Sequence, residues 1–232
     1  MIGIICAMDI EAEKIIANIS DKKVNEISKI KYVCGNIDNK EVVVAVSGVG
    51  KVNAAVCTQT MILEYHPNII INSGVAGSVD GSVCLFDAVV ATSVVQHDYD
   101  NTPAVGGNVG EITGIGKAFF ECDKEASELL SKCVKEVSGD SAKTGIIATG
   151  DQFIASSNKK TELHVAFNAC ACEMEGGSIG HVCYLNDTPF CVLRTISDNA
   201  NSGSYVDYPE FSKKSADIAS QILLSFIREY KI

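Results

Sequence analysis

Apolar residues follow two alternating rhythms along this chain. Residues 2–6, 88–95, 145–149, 169–174 and 190–196 are short continuous apolar runs of strand length. Between them lie stretches in which apolar residues recur every three or four positions, the signature of helices with one face buried. These predict helices over 10–19, 52–65, 124–137 and 177–185, and a long one over 209–230. Pro67 stops the second of these, and a short strand over 68–72 follows, ending in Gly74-Val75-Ala76-Gly77. Pro209 suits the first turn of the last helix, where its missing N–H would have no partner anyway. Residues 30–34 and 42–46 flank Asn36-Ile37-Asp38-Asn39, whose residues tolerate unusual backbone angles, so they read as a β-hairpin.

Strands alternating with helices predict an α/β fold, a mostly parallel sheet covered by helices on both faces, and the early hairpin makes that sheet mixed. No composition break divides the 232 residues, so residues 1–232 are expected to form a single domain.

Composition removes several classes of function. With 29 acidic against 19 basic residues, the net charge of −10 opposes binding to phosphate backbones and anionic membranes. The lysines are scattered, with Lys22-Lys23, Lys159-Lys160 and Lys213-Lys214 as the only pairs. Nucleic acid and membrane are therefore not expected partners. No apolar run approaches membrane-spanning length, and the N-terminus enters Ile2-Gly3-Ile4-Ile5 without a basic leader, which predicts a cytoplasmic protein. Ten cysteines lie mostly in apolar patterns without regular spacing and read as reduced, buried thiols. Cys170-x-Cys172 is too closely spaced for a zinc knuckle, and no metal site is expected.

The candidate chemistry sits where apolar runs end. Glu173-Met174-Glu175 closes one, and Arg194-Thr195-Ile196-Ser197-Asp198 closes the next, and the C-terminal ends of strands are where open α/β sheets bind ligands. Ser47-Gly48-Val49-Gly50-Lys51 lacks the residues of a nucleotide phosphate loop, with Ala45 and Val52 at two required positions, and Asn53 breaks a dinucleotide fingerprint. What remains is a tight turn whose N–H groups are expected to approach a polar ligand. His97-Asp98-Tyr99-Asp100 alternates in direction along an extended segment and fits a loop or interface better than a metal site. None of His66, His97, His164 and His181 lies in a nucleophile context, and no Gly-x-Ser-x-Gly elbow occurs. His181 reads as a packed helix residue.

Taken in order, Ala7-Met8-Asp9-Ile10-Glu11, Ser47 to Val52, Asn72 to Gly77, Gly150-Asp151-Gln152-Phe153, Glu173-Met174-Glu175 and Arg194 to Asp198 resemble the nucleoside phosphorylase and nucleosidase superfamily. Within it the set most resembles the bacterial 5'-methylthioadenosine/S-adenosylhomocysteine nucleosidases. The resemblance implies a three-layer α/β sandwich around a mixed, partly barrel-like sheet, no cofactor, and a homodimer acting on a small nucleoside.

It also implies roles. Asp198 would protonate adenine at N7, Glu175 would bind the ribose hydroxyls, and Glu11 would position the attacking water, with Arg194 nearby. Phe153 and Ile154 would stack on the base and read its edge, and Met174 would pack beneath the ribose. Met8, Val49, Val75, Ala76, Gly77, Glu173, Ser197 and Tyr208 complete the implied substrate site. Many members carry a hydroxyl residue where this chain has Val75.

Adenine leaves poorly as an anion, so a positioned acid must deliver a proton, a contribution of ~10² to 10⁴ in rate. Asp198 must then hold a proton near neutral pH, which calls for burial or a neighbouring negative charge. A phosphorylase would need cations for phosphate, yet the only arginines are Arg194 and Arg228, and residues 8–13 offer carboxylates. The expected reaction is hydrolysis of 5'-methylthioadenosine and S-adenosylhomocysteine to adenine and the thioribose. A futalosine hydrolase, a purine nucleoside phosphorylase and an inert nucleoside-binding protein are the alternatives.

Overall fold

The computed structural model describes residues 1–140, 142–198 and 208–231, with residues 208 and 209 described by their backbone alone. In chain order the elements are β1 (Ile2–Cys6), α1 (Asp9–Ala17), β2 (Ser20–Ile27), β3 (Ile30–Ile37), β4 (Lys40–Val46), α2 (Lys51–Tyr65), β5 (Ile69–Ser78) and β6 (Ala88–Gln96). There follow α3 (Thr102–Val105), β7 (Phe119–Glu121), α4 (Lys124–Ser138), β8 (Lys143–Thr149), α5 (Ser157–Phe167), β9 (Ala169–Glu173), α6 (Gly176–Leu185), β10 (Phe190–Asp198) and α7 (Tyr208–Glu229).

All ten strands belong to one mixed sheet, which curls at one end into a closed ring. β5 pairs with β10, β10 with β6, β6 with β8, β8 with β9, and β9 returns to β5. The other end is open and runs β5-β1-β4-β3-β2. β1, β4, β5 and β10 are parallel to their neighbours in this series, so their C-terminal ends lie along one edge. The ring closes at Gly77, which pairs with Cys172 of β9 on one side and Asp198 of β10 on the other.

Helices cover both faces, as the apolar patterning predicts. Ile15 of α1, Leu130 of α4 and Ile222, Leu223 and Phe226 of α7 bury one face with Ile2, Ile4 and Val44. Cys57 and Met61 of α2 and Ile179 of α6 bury the other with Ile5, Val43 and Ile70. Both layers are required because strands apolar on both faces, such as Ile69–Ile71, would otherwise leave one side in water. Among the described residues no helix is long and apolar enough to cross a membrane. All ten cysteines are unpaired; seven are buried and Cys84 is exposed.

Two elements depart from the sequence reading in ways that matter for the site. The strand expected over 68–72 runs on to Ser78, so the Gly74–Gly77 stretch is extended backbone inside β5 and not a turn after it. Pairing with β10 along that whole stretch holds it extended. α5 was not expected at all. Its buried residues are Lys160, Leu163 and Phe167, so a lysine interrupts the apolar rhythm that would have revealed it.

Candidate active site

Where β1, β4, β5 and β10 end, a cleft opens, lined by the residues that follow or close these strands. Each parallel strand delivers its part of the wall. Ala7 and Met8 follow β1 directly, and Glu11 reaches in from the first turn of α1. Val49 comes from the turn after β4, and Val75, Ala76 and Gly77 from the end of β5. Ser197 and Asp198 close β10, Glu173 closes β9, and Met174 and Glu175 lead into α6. Phe153 stands at the rim, 53% exposed despite its aromatic ring.

Twelve of the fifteen residues singled out from the sequence thus line one cleft, and Ala7, which lay in a quoted motif without a role, joins them. Two stand elsewhere. Ile154 is buried with Val79, Leu163 and Phe167, behind Phe153. Arg194 is 1% exposed and lies beneath the wall, bonded to protein groups. Tyr208 begins α7, and its side chain lies outside the described residues.

Glu11 is fixed by three backbone donors and keeps acceptor capacity to spare. Its Oε2 accepts from the N–H groups of Ala7 and Met8, each at 2.9 Å, and its Oε1 accepts from Val75 N–H at 2.9 Å. Burial pushes its carboxyl up, with Arg194 and these three donors opposing.

Glu173 has a different job. Its Oε2 accepts from the N–H groups of Glu175 (3.0 Å) and Gly176 (2.8 Å), filling the orphan donors at the start of α6. It also pairs with the Arg194 guanidinium and accepts from Thr149 Oγ1. Glu175 accepts from Gly50 N–H at 2.9 Å and lies 3.5 Å from Arg194 Nη2. Its carboxyl is raised to about 7, first by burial and then by the adjacent Glu173 charge, with Arg194 acting against both. For Arg194, burial disfavours the charge, and Glu173, Glu175 and Glu11 more than restore it.

The Gly-rich turn after β4 corrects one expectation. Two of its N–H groups serve the protein and not an open ligand site, since Gly50 N–H donates to Glu175 and Lys51 N–H to Asp151 Oδ1 at 2.8 Å. Gly50 has φ of +99°, and a Cβ there would lie 3.0 Å from Asp151 Oδ1. The His97-Asp98 segment supports the same turn: Asp98 takes Lys51 Nζ at 2.6 Å and Asp151 N–H at 2.8 Å. His181 packs on Phe120, ring centroids 4.9 Å apart.

The surroundings of Asp198 also differ from expectation. Burial or a negative neighbour was required, yet the side chain is 22% exposed and its Oδ2 is bonded to an ammonium, Lys160 Nζ, at 2.9 Å. α5 supplies that cation, and no apolar rhythm marks this helix in the sequence because Lys160 stands in its buried stripe.

Residues 1–228 match the model of the phosphorylase superfamily. This chain belongs to that superfamily. It is 37% identical over 228 residues to the 5'-methylthioadenosine/S-adenosylhomocysteine nucleosidase of Shewanella loihica, covering 98% of each chain. The fold is similar, with a TM-score of 0.92 at 35% identity, to a mutant nucleosidase of Helicobacter pylori with 5'-methylthioadenosine in the active site, covering 99% of this chain and 98% of the other. A futalosine hydrolase structure from Helicobacter pylori gives 0.91 at 35% identity, covering 99% and 97%.

Proposed function

We propose that this chain hydrolyses the N-glycosidic bond of 5'-methylthioadenosine and S-adenosylhomocysteine, releasing adenine and the thioribose. The observation that carries the reading is that Glu11, Glu175 and Asp198, separated by up to 187 positions, face one cleft at the closure point of the ring. The superfamily and the nucleosidase relative support it.

In this reading Asp198 gives a proton to N7 as the base leaves, and the purine keeps the electron pair of the C1'–N9 bond. Positive charge grows on the ribosyl ring, facing Glu175 and Glu11 across a preorganised site. Glu175 accepts the ribose hydroxyls, and Glu11, fixed by three N–H donors, orients the water that attacks C1'. Met8 and Met174 pack against the sugar, and Phe153 stacks on the base. Val75 offers no hydroxyl and its N–H is taken by Glu11, so the wall makes no side-chain polar contact at that point.

Water is favoured over phosphate as nucleophile by the charge inventory. Arg194 is buried and engaged with Glu173 and Glu175, and Arg228 pairs with Asp38 elsewhere on the surface. An incoming phosphate dianion would meet carboxylates. The test is adenine release from 5'-methylthioadenosine in phosphate-free buffer. Release only after phosphate is added identifies a phosphorylase, and no release under either condition ends the proposal.

The likeness to a futalosine hydrolase favours a second substrate of the same bond type, and competition between futalosine and 5'-methylthioadenosine measures it. We also infer a homodimer, supported by apolar residues left exposed on α2, and a cytoplasmic location, supported by ten unpaired thiols.

A further inference from the structure

Lys160 is the one lysine among the described residues that the fold buries, 3% exposed on the inward face of α5 beside Leu163 and Phe167. Taking an ammonium out of water is unfavourable unless a partner compensates it. An apolar side chain at this position would continue the buried stripe at no such cost. The partner here is Asp198, whose Oδ2 lies 2.9 Å from Lys160 Nζ. Among the described residues the remaining titratable neighbours are Glu173 and the Cys172 thiol on β9, the latter pushed up to about 12 by burial, with Glu11 and Glu175 across the cleft. β5 presents only the backbone of Gly77 to Asp198, and Arg194 is engaged with Glu173 and Glu175.

We propose that Lys160 is a positioning residue for proton delivery by Asp198: it holds Oδ2, leaves delivery to Oδ1, and stabilises the carboxylate that remains once the proton has gone. This deepens the hydrolase reading above and rests on Asp198 being its acid. The step balances without Lys160 changing state. The Asp198 carboxyl proton passes to N7, the C1'–N9 electron pair stays on the purine, the water oxygen bonds C1', and the proton the water loses goes to the Glu11 carboxylate. Lys160 remains an ammonium throughout, and solvent exchange returns the proton from Glu11 to Asp198. Gly77 leaves room for the pair, since a Cβ there would lie 3.0 Å from Asp198 Oδ2 and 3.1 Å from Oδ1.

The test compares K160M, K160R and D198N with the native enzyme, reading kcat and KM for 5'-methylthioadenosine from pH 5 to 9. In K160M the carboxylate left after proton transfer has lost its counter-charge. K160M is therefore expected to lower the plateau kcat by ~10- to 100-fold and leave KM within about threefold. K160R is expected to restore the native profile. Should K160M fail to fold, K160Q carries the same prediction. A profile in the methionine or glutamine variant that superimposes on the native one, or a loss confined to KM, overturns the role of Lys160. If D198N is inactive while that profile is unmoved, only the role of Lys160 fails; an active D198N removes Asp198 as the acid and this inference with it, and native protein that releases no adenine overturns the hydrolase reading beneath both.

Discussion

Three carboxylates around one buried guanidinium cannot all stay charged without cost, and at the residue scale this sets how the site responds to pH. Glu175 bears the consequence, raised to about 7 by burial and by Glu173, and Glu11 is raised by burial as well. In the unfolded chain a glutamate titrates at about 4.3. Between that value and about 7 the folded state binds more protons than the unfolded one, so rising pH destabilises the ligand-free protein across this window. Above about 7 the effect of Glu175 is complete and the curve flattens. Glu175→Gln removes this contribution. The melting temperature of the variant relative to native protein is therefore expected to rise from pH 4.5 to 7 and then level off. Differential scanning fluorimetry over pH 4.5 to 9 reads it, and a constant difference would show that Glu175 does not titrate in this range. The same variant should lose ribose affinity and rate together, since the amide cannot replace a carboxylate facing developing positive charge.

At the scale of elements, the route from sequence to site ran through residues that had to be apolar. β1, β6, β9 and β10 were legible because both of their faces are largely buried, β8 because its last three residues are, and Glu173 and Asp198 fall at the ends of β9 and β10. β2 was not, because Ser20 to Glu26 are all exposed and present no alternating face. Its paired lysines, Lys22 and Lys23, suit an open sheet edge, where charge discourages further pairing. α5 was hidden by Lys160, and β5 was cut short because its glycines look like a turn. Gly74 is needed for close approach: a Cβ there would overlap Arg194 Nη1 and lie 2.6 Å from Glu11 Oε1. Both atoms are held by other bonds and cannot simply move aside. Gly74→Ala is expected to cost ~1–3 kcal/mol of stability and to lower kcat by displacing Glu11. Urea denaturation alongside the nucleosidase assay separates the two effects, and a variant with native stability would mean that the Arg194–Glu11 contact is slack.

The whole molecule poses a problem that α2 makes plain. One side of this helix is in the core through Ala54, Cys57, Met61 and Ile62, yet Val52, Val56 and Leu63 on its other side are 74%, 41% and 60% exposed. A helix apolar all round is ordinarily buried all round. Val49, just before α2, and Phe153 are also exposed, and both belong to the cleft rim, so whatever covers this face also narrows the mouth of the cleft. A second copy of the chain satisfies both needs, and a two-fold interface presents each substitution twice. Val52→Asp with Val56→Asp would then bring four carboxylates into one dimer interface, and like charges juxtaposed there cost several kcal/mol. The doubly substituted protein is expected to sediment as a monomer at micromolar concentration, to keep a native circular dichroism spectrum, and to lose kcat/KM chiefly through a raised KM because the rim is left uncovered. Sedimentation velocity decides the matter, since both the native protein and the variant running as monomers would leave the exposed face of α2 to some other partner, and a dimeric variant would place the contact elsewhere.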